Sequence, residues 1–169
     1  FLRAPPDTQL RPVVTGWFAD FAGLEAPPGR EVAYARAAGA RFAGATYDPT
    51  SHYRASAVFE FFAAQSLTPP RLRAKNQSQL ARLDGALSAA DLSPRTLWRD
   101  RSVPLPSLGG FLALDTPHAA RLVERLRQDH VYTDHRGARL RLGPAPYVTD
   151  WQLDAAAAAL IAACRSLDA

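Results

Sequence analysis

The chain contains one cysteine, Cys164, no methionine, and a single lysine, Lys75. One cysteine excludes an intrachain disulfide and any metal site built from several thiolates. Cys164 follows Leu153, Ala157, Leu160 and Ile161 at helical spacing, so it reads as a small buried hydrophobe. Four histidines, His52, His118, His130 and His135, show no His-x-x-x-His spacing of the kind that holds a metal on one helix face. Of these, His52 lies nearest to a candidate site and is the one to test for an acid-base role. Runs of about 18 apolar residues, which a membrane-spanning helix needs, are missing. The opening Phe1-Leu2-Arg3-Ala4-Pro5-Pro6 lacks the basic-then-apolar order of a signal peptide. The expectation is a cytoplasmic setting and, with no initiator methionine, a piece of a longer polypeptide.

Hydrophobic residues make up 47% of the 169 positions, enough to bury a core in one domain or in two small, unequal lobes. The formal charge of +4 raises the question of nucleic acid. Its arginines are scattered, however: Arg54, Arg73, Arg82, Arg99, Arg121, Arg136 and Arg165 fall on different segments with Glu60, Asp84, Asp100 and Glu124 among them. A phosphate-tracking stripe needs clustering, so no nucleic-acid partner is expected.

Periodicity divides the chain. Residues 1–12 are polar and proline-bearing, 13–18 a short apolar stretch where Gly16 before Trp17 suggests a tight bend, 24–40 a loop rich in Pro, Gly and Ala, and 41–49 a brief extended piece ending in a turn. From Thr50 the apolar residues Tyr53, Ala57, Phe61 and Ala64 recur at helical spacing, and Val58, Phe59 and Phe62 widen that face. Thr68 with Pro69 and Pro70 reads as the start of a second helix through Leu72, Leu80, Leu83 and Leu87, with Lys75, Asn76 and Gln79 on its polar positions. Residues 88–107 read as loop. Phe111 to Leu114 is a strand, and Thr116-Pro117 opens a helix whose Ala119, Leu122, Val123 and Leu126 share a face. Val131–Thr133 and Leu140–Leu142 read as two strands around a turn at Asp134-His135-Arg136-Gly137. A last helix starts at Thr149, where Gln152 completes a capping box, and runs to about Leu167. Strand, helix, two strands and helix make a compact α+β lobe.

Within it, Arg139-Leu140-Arg141-Leu142-Gly143-Pro144-Ala145-Pro146 alternates and then stops abruptly. A strand ending this way holds Arg141 rigidly at its mouth. The guanidinium is either a solvated or structurally paired arginine, or a planar fork of donors for the α-carboxylate of an amino acid.

Taken in order, Gly16-Trp17-Phe18, Phe42-Ala43-Gly44 with Thr46, Leu72-Arg73-Ala74-Lys75, Gly109-Gly110-Phe111 and Leu140 to Pro146 resemble the C-terminal part of kynureninase and its relatives. These are pyridoxal-phosphate enzymes of the class V aminotransferase group. The resemblance implies an α/β fold: over 1–67 the incomplete end of a fold-type-I large domain, and over 68–169 a connector helix and the small α+β domain. It further implies a homodimer and a small amino-acid substrate. Arg141 matches the arginine that binds the substrate α-carboxylate. Trp17, otherwise an ordinary core aromatic, matches a tryptophan whose indole N–H reaches the cofactor phosphate. Thr46 falls where relatives place a Gly-Thr that donates to the phosphate; here Gly44-Ala45-Thr46 has one residue more, and Thr46, Tyr47 or a backbone amide could make that contact.

Pyridoxal chemistry requires an amine that holds the cofactor as a Schiff base, and Lys75 sits where the family's lysine is not that one. The cofactor lysine would lie in a segment preceding Phe1. No catalytic residue is therefore expected here, and the isolated chain is expected to be inactive. The implied reaction is hydrolysis of L-kynurenine to anthranilate and L-alanine. The alternatives are a class V aminotransferase or desulfurase-type activity, or a non-catalytic module that keeps the small-domain fold.

Overall fold

A computed structural model describes residues 2–27 and 29–168. The chain divides into two compact units, Phe1–Glu60 and Phe61–Ala169. This boundary falls inside helix α1 (Thr50–Ala64), several residues before the division at 67/68 drawn from sequence.

The second unit is a mixed α/β structure around a three-stranded antiparallel sheet. Its elements are α2 (Pro69–Ala89), β1 (Leu112–Asp115), α3 (Ala119–Gln128), β2 (Asp134–Arg136), β3 (Arg139–Leu142) and α4 (Asp150–Asp168). Strand order is β1-β3-β2, so β3 is central, with Ala113 of β1 and Asp134 of β2 in register on either side of Arg141. Leu112 and Leu114 of β1 and Leu140 and Leu142 of β3 point into one core. Leu122 and Leu126 of α3, Leu80 and Leu83 of α2, and Leu153, Leu160 and Cys164 of α4 complete it.

Helix boundaries follow local chemistry. Thr68 caps α2 by accepting from the Arg71 N–H at 3.4 Å, and Pro69 and Pro70 occupy the first turn, where no amide hydrogen is needed. At the start of α4, the Gln152 side chain accepts from both the N–H and the hydroxyl of Thr149 at 2.9 Å. Arg82 of α2 forks onto Asp154 of α4 with two bonds of 2.6 Å, adding an outer clasp between the two helices.

Three expectations are corrected. The hairpin strand lies at Asp134–Arg136, not Val131–Thr133, because Gly137, at φ +54°, supplies the left-handed residue on which the chain reverses. Gln79, assigned to the polar side of α2, is 1% exposed. In α1 the helix forms as read, yet none of its residues is buried, and Tyr53, Phe59 and Phe61 stay exposed.

The first unit is mostly irregular, with 3-10 turns at Trp17–Gly23 and Ala40–Phe42. The second of these turns occupies the start of the stretch read as extended. Among the described residues its buried apolar side chains are Ala19 and Ala38, so side chains that bond backbone carbonyls carry much of its order. Arg41 donates to Ala35 O at 2.8 Å and to Thr8 O at 3.3 Å, and the Tyr34 hydroxyl donates to Pro12 O at 2.9 Å. Among the described residues, no helix is long and apolar enough to cross a membrane.

Leu140 is fully buried at the centre of the sheet. Leu140→Ala is expected to lower the unfolding free energy of the second unit by about 3 kcal/mol, as judged from mutational series in packed cores. Denaturant titration followed by far-UV circular dichroism measures it.

Candidate functional site

Alternation on β3 decides where Arg141 goes. Leu140 and Leu142 face the core, so Arg141 projects from the opposite side, together with its register partner Asp134. Arg141 Nε donates to Asp134 Oδ1 at 2.6 Å, and Nη2 donates to Asp134 Oδ2, a bidentate pair. The Phe111 ring lies against the guanidinium, 5.3 Å from Cζ to centroid, within range of a cation–π contact. With Tyr132, Thr133 and Gly143 these groups line a cleft of about 400 Å³.

The geometry of the pair matters for what Arg141 can still do. A guanidinium has five N–H donors in one plane. Asp134 takes the side edge, formed by Nε and Nη2. The outer pair, Nη1 and the second hydrogen of Nη2, receives no acceptor among the described residues. A second carboxylate can therefore meet the same guanidinium end-on. Thr133, beside Asp134, carries a buried hydroxyl with no hydrogen-bond partner among the described residues.

Helix α2 sets the two loops that border this strand end. Arg73 donates to Pro106 O at 2.6 Å and Gly109 O at 3.4 Å, and Asn76 donates to Gly110 O at 3.1 Å, fixing the loop before β1. Gln79 Nε2 donates to Ala145 O at 2.9 Å and Val148 O at 3.2 Å, fixing the loop after β3. Sequence reasoning missed the structural role of Asn76 and Gln79. Their signal was the spacing 76, 79, 80, 83, 87, which places both amides on the stripe occupied by Leu80, Leu83 and Leu87. Lys75, 3.6 Å from Asp150, is an ion-pair partner of α4.

Trp17 and Thr46 belong to the first unit. Trp17 is 54% exposed and packs edge-on against Phe18, with centroids 4.7 Å apart. No described residue accepts from its indole N–H. Gly16, just before it, runs so close to Gly44 that a Cβ at position 16 would overlap the Gly44 carbonyl. Gly16 has extended backbone angles open to any residue, so the close approach is what requires glycine. That contact joins the segment bearing Trp17 to the segment bearing Thr46. Thr46 is exposed, and Tyr47 next to it packs at a tilt against the His52 ring, with centroids 5.0 Å apart. Asp48 accepts from the N–H and hydroxyl of Thr50, which holds its carboxyl below the ordinary range. His118, His130 and His135 lie on the other unit. Among the described residues, no group of three His, Cys, Asp or Glu could hold a metal ion.

No protein-family model matches the chain, and no curated protein matches it.

Two measurements check this geometry. Hydrogen bonding from Arg141 holds the Asp134 carboxyl below its ordinary value. The pair's contribution is thus complete above about pH 4 and is lost as pH falls through the lowered value. Carboxyl ¹³C shifts should accordingly give Asp134 a midpoint below that of free aspartate; an ordinary midpoint would contradict the pairing. Separately, Gly16→Ala should drive the two segments of the first unit apart, seen as large amide shift changes at both Trp17 and residues 44–46.

Proposed function

We propose that this chain is the C-terminal portion of a pyridoxal-phosphate-dependent, kynureninase-like hydrolase, acting on L-kynurenine to give anthranilate and L-alanine. A cytoplasmic homodimer is part of this reading. The supporting observation is the end-on donor pair of Arg141, left without an acceptor among the described residues in a cleft while Asp134 occupies the side edge. A carboxylate has two oxygens whose spacing matches that pair.

The residues present suit a supporting role toward the cofactor. The Trp17 indole N–H and the exposed Thr46 hydroxyl are donors, as a phosphate group demands, and glycine contact joins their segments. When bound, pyridoxal phosphate supplies the electron sink that allows the side-chain carbon–carbon bond to be cleaved with water as co-reactant. Arg141 binds and orients the amino-acid end so that this bond is held in one position. The Phe111 ring, 5.3 Å from Arg141 Cζ, adds a cation–π contact that restrains the guanidinium.

In the polypeptide that carries this chain, Arg141→Ala should raise KM for L-kynurenine roughly thirtyfold, equivalent to about 2 kcal/mol for a lost charge-assisted contact. Cofactor affinity should be unchanged. Trp17→Phe should do the reverse, weakening cofactor binding about tenfold with little change in KM. Steady-state kinetics and fluorescence titration of the cofactor separate the two, and equal losses in both parameters would refute the division of roles.

A further inference from the structure

We propose that Asp134 is a positioning residue for Arg141: by occupying the side edge of the guanidinium it aims the end-on donor pair at an incoming carboxylate, and it stays in place when that carboxylate binds. The inference rests on the reading of Arg141 as the carboxylate site and adds to it a residue that acts only through the arginine.

Two opposing effects meet at Asp134. Its negative charge repels an anionic ligand and offsets the positive charge of Arg141. Against this, an arginine side chain is long and rotamer-rich, and a guanidinium swinging in an open cleft must be ordered at the moment of binding. Three observations favour ordering as the dominant effect. First, Asp134 and Arg141 are direct register partners on adjacent strands, so the carboxylate is delivered by the sheet itself and not by a mobile loop. Second, the contact is bidentate through Nε and Nη2, which fixes the guanidinium plane and leaves the two-donor end edge without an acceptor among the described residues. Third, the guanidinium lies over the Phe111 ring, 5.3 Å from Cζ to centroid, a second contact that restrains it. An acid that merely blocked the site would compete for the outer edge. Asp134 does not use it. The other charged groups on this face have partners of their own: Arg139 pairs with Asp115 at 2.8 Å, and the Arg136 guanidinium donates to the His135 carbonyl while its charge also reaches the Asp134 carboxylate.

The test uses the polypeptide that carries this chain, with L-alanine as the carboxylate probe, followed by ¹H–¹⁵N spectra that include arginine Nε–H signals. In the unsubstituted chain the Arg141 Nε–H should be slow to exchange, and should stay so as L-alanine is added while the Nη signals shift. Asp134→Asn should speed Nε–H exchange and weaken L-alanine binding about tenfold. The backbone amide spectrum reports that the variant is folded, which is expected because the Asp134 side chain is half exposed. In an Arg141→Lys background, where no planar fork exists to be aimed, the same substitution should not weaken binding further. Unchanged or tighter L-alanine binding by Asp134→Asn would overturn the proposal and make Asp134 a competitor. Loss of the protected Nε–H on adding L-alanine would overturn it too, since the acid would then have been displaced. If the unsubstituted chain fails to bind L-alanine at all, the carboxylate site itself falls, and this inference with it.

Discussion

Leu140 and Leu142 can both be buried only if Arg141 faces the other way, and the geometry of the second unit follows from that alternation. The central strand β3 gives two leucines to the core and lifts one cation to the opposite face of the sheet. A one-residue slip would bury the guanidinium without a partner and expose the leucines, so hydrophobic burial enforces the register. The same register sets Asp134 directly across from Arg141 and makes the ion pair a product of strand pairing.

Around this strand, α2 acts as a frame. Its leucines enter the core, while Arg73, Asn76 and Gln79 bond backbone carbonyls of the two loops on either side of the sheet's end. These hydrogen bonds fix loop positions that proline and glycine alone would leave underdetermined. The cleft beside Arg141 therefore has walls set by a helix, as well as by the strands.

The first unit is organised differently. It buries little apolar surface and depends on arginine and tyrosine side chains reaching backbone carbonyls, on the aromatic cluster of Trp17, Phe18 and Phe21, and on the Gly16–Gly44 approach. Such contacts are individually modest, each worth about 1 kcal/mol net, so this unit is the more easily perturbed of the two. Helix α1 shows how far local pattern reaches: its spacing is helical and it forms a helix, yet its aromatic residues remain exposed. Helical periodicity marks an apolar stripe and carries no information on whether anything covers it.

From residues alone, much of the second unit was legible. Thr68 with two prolines, the Thr149–Gln152 box and the stripe Ala119, Leu122, Leu126 act over three or four residues, and each element stands as its local chemistry requires. The alternation around Arg141 likewise fixed the side of the sheet from which it projects. Tertiary structure decided what local pattern cannot encode: the burial of Gln79 and the edge of the guanidinium that Asp134 takes. Each of these depends on a partner far along the chain or across a strand pair. Hydrogen bonds of that kind are satisfied only when the whole sheet and its flanking helices have closed around them.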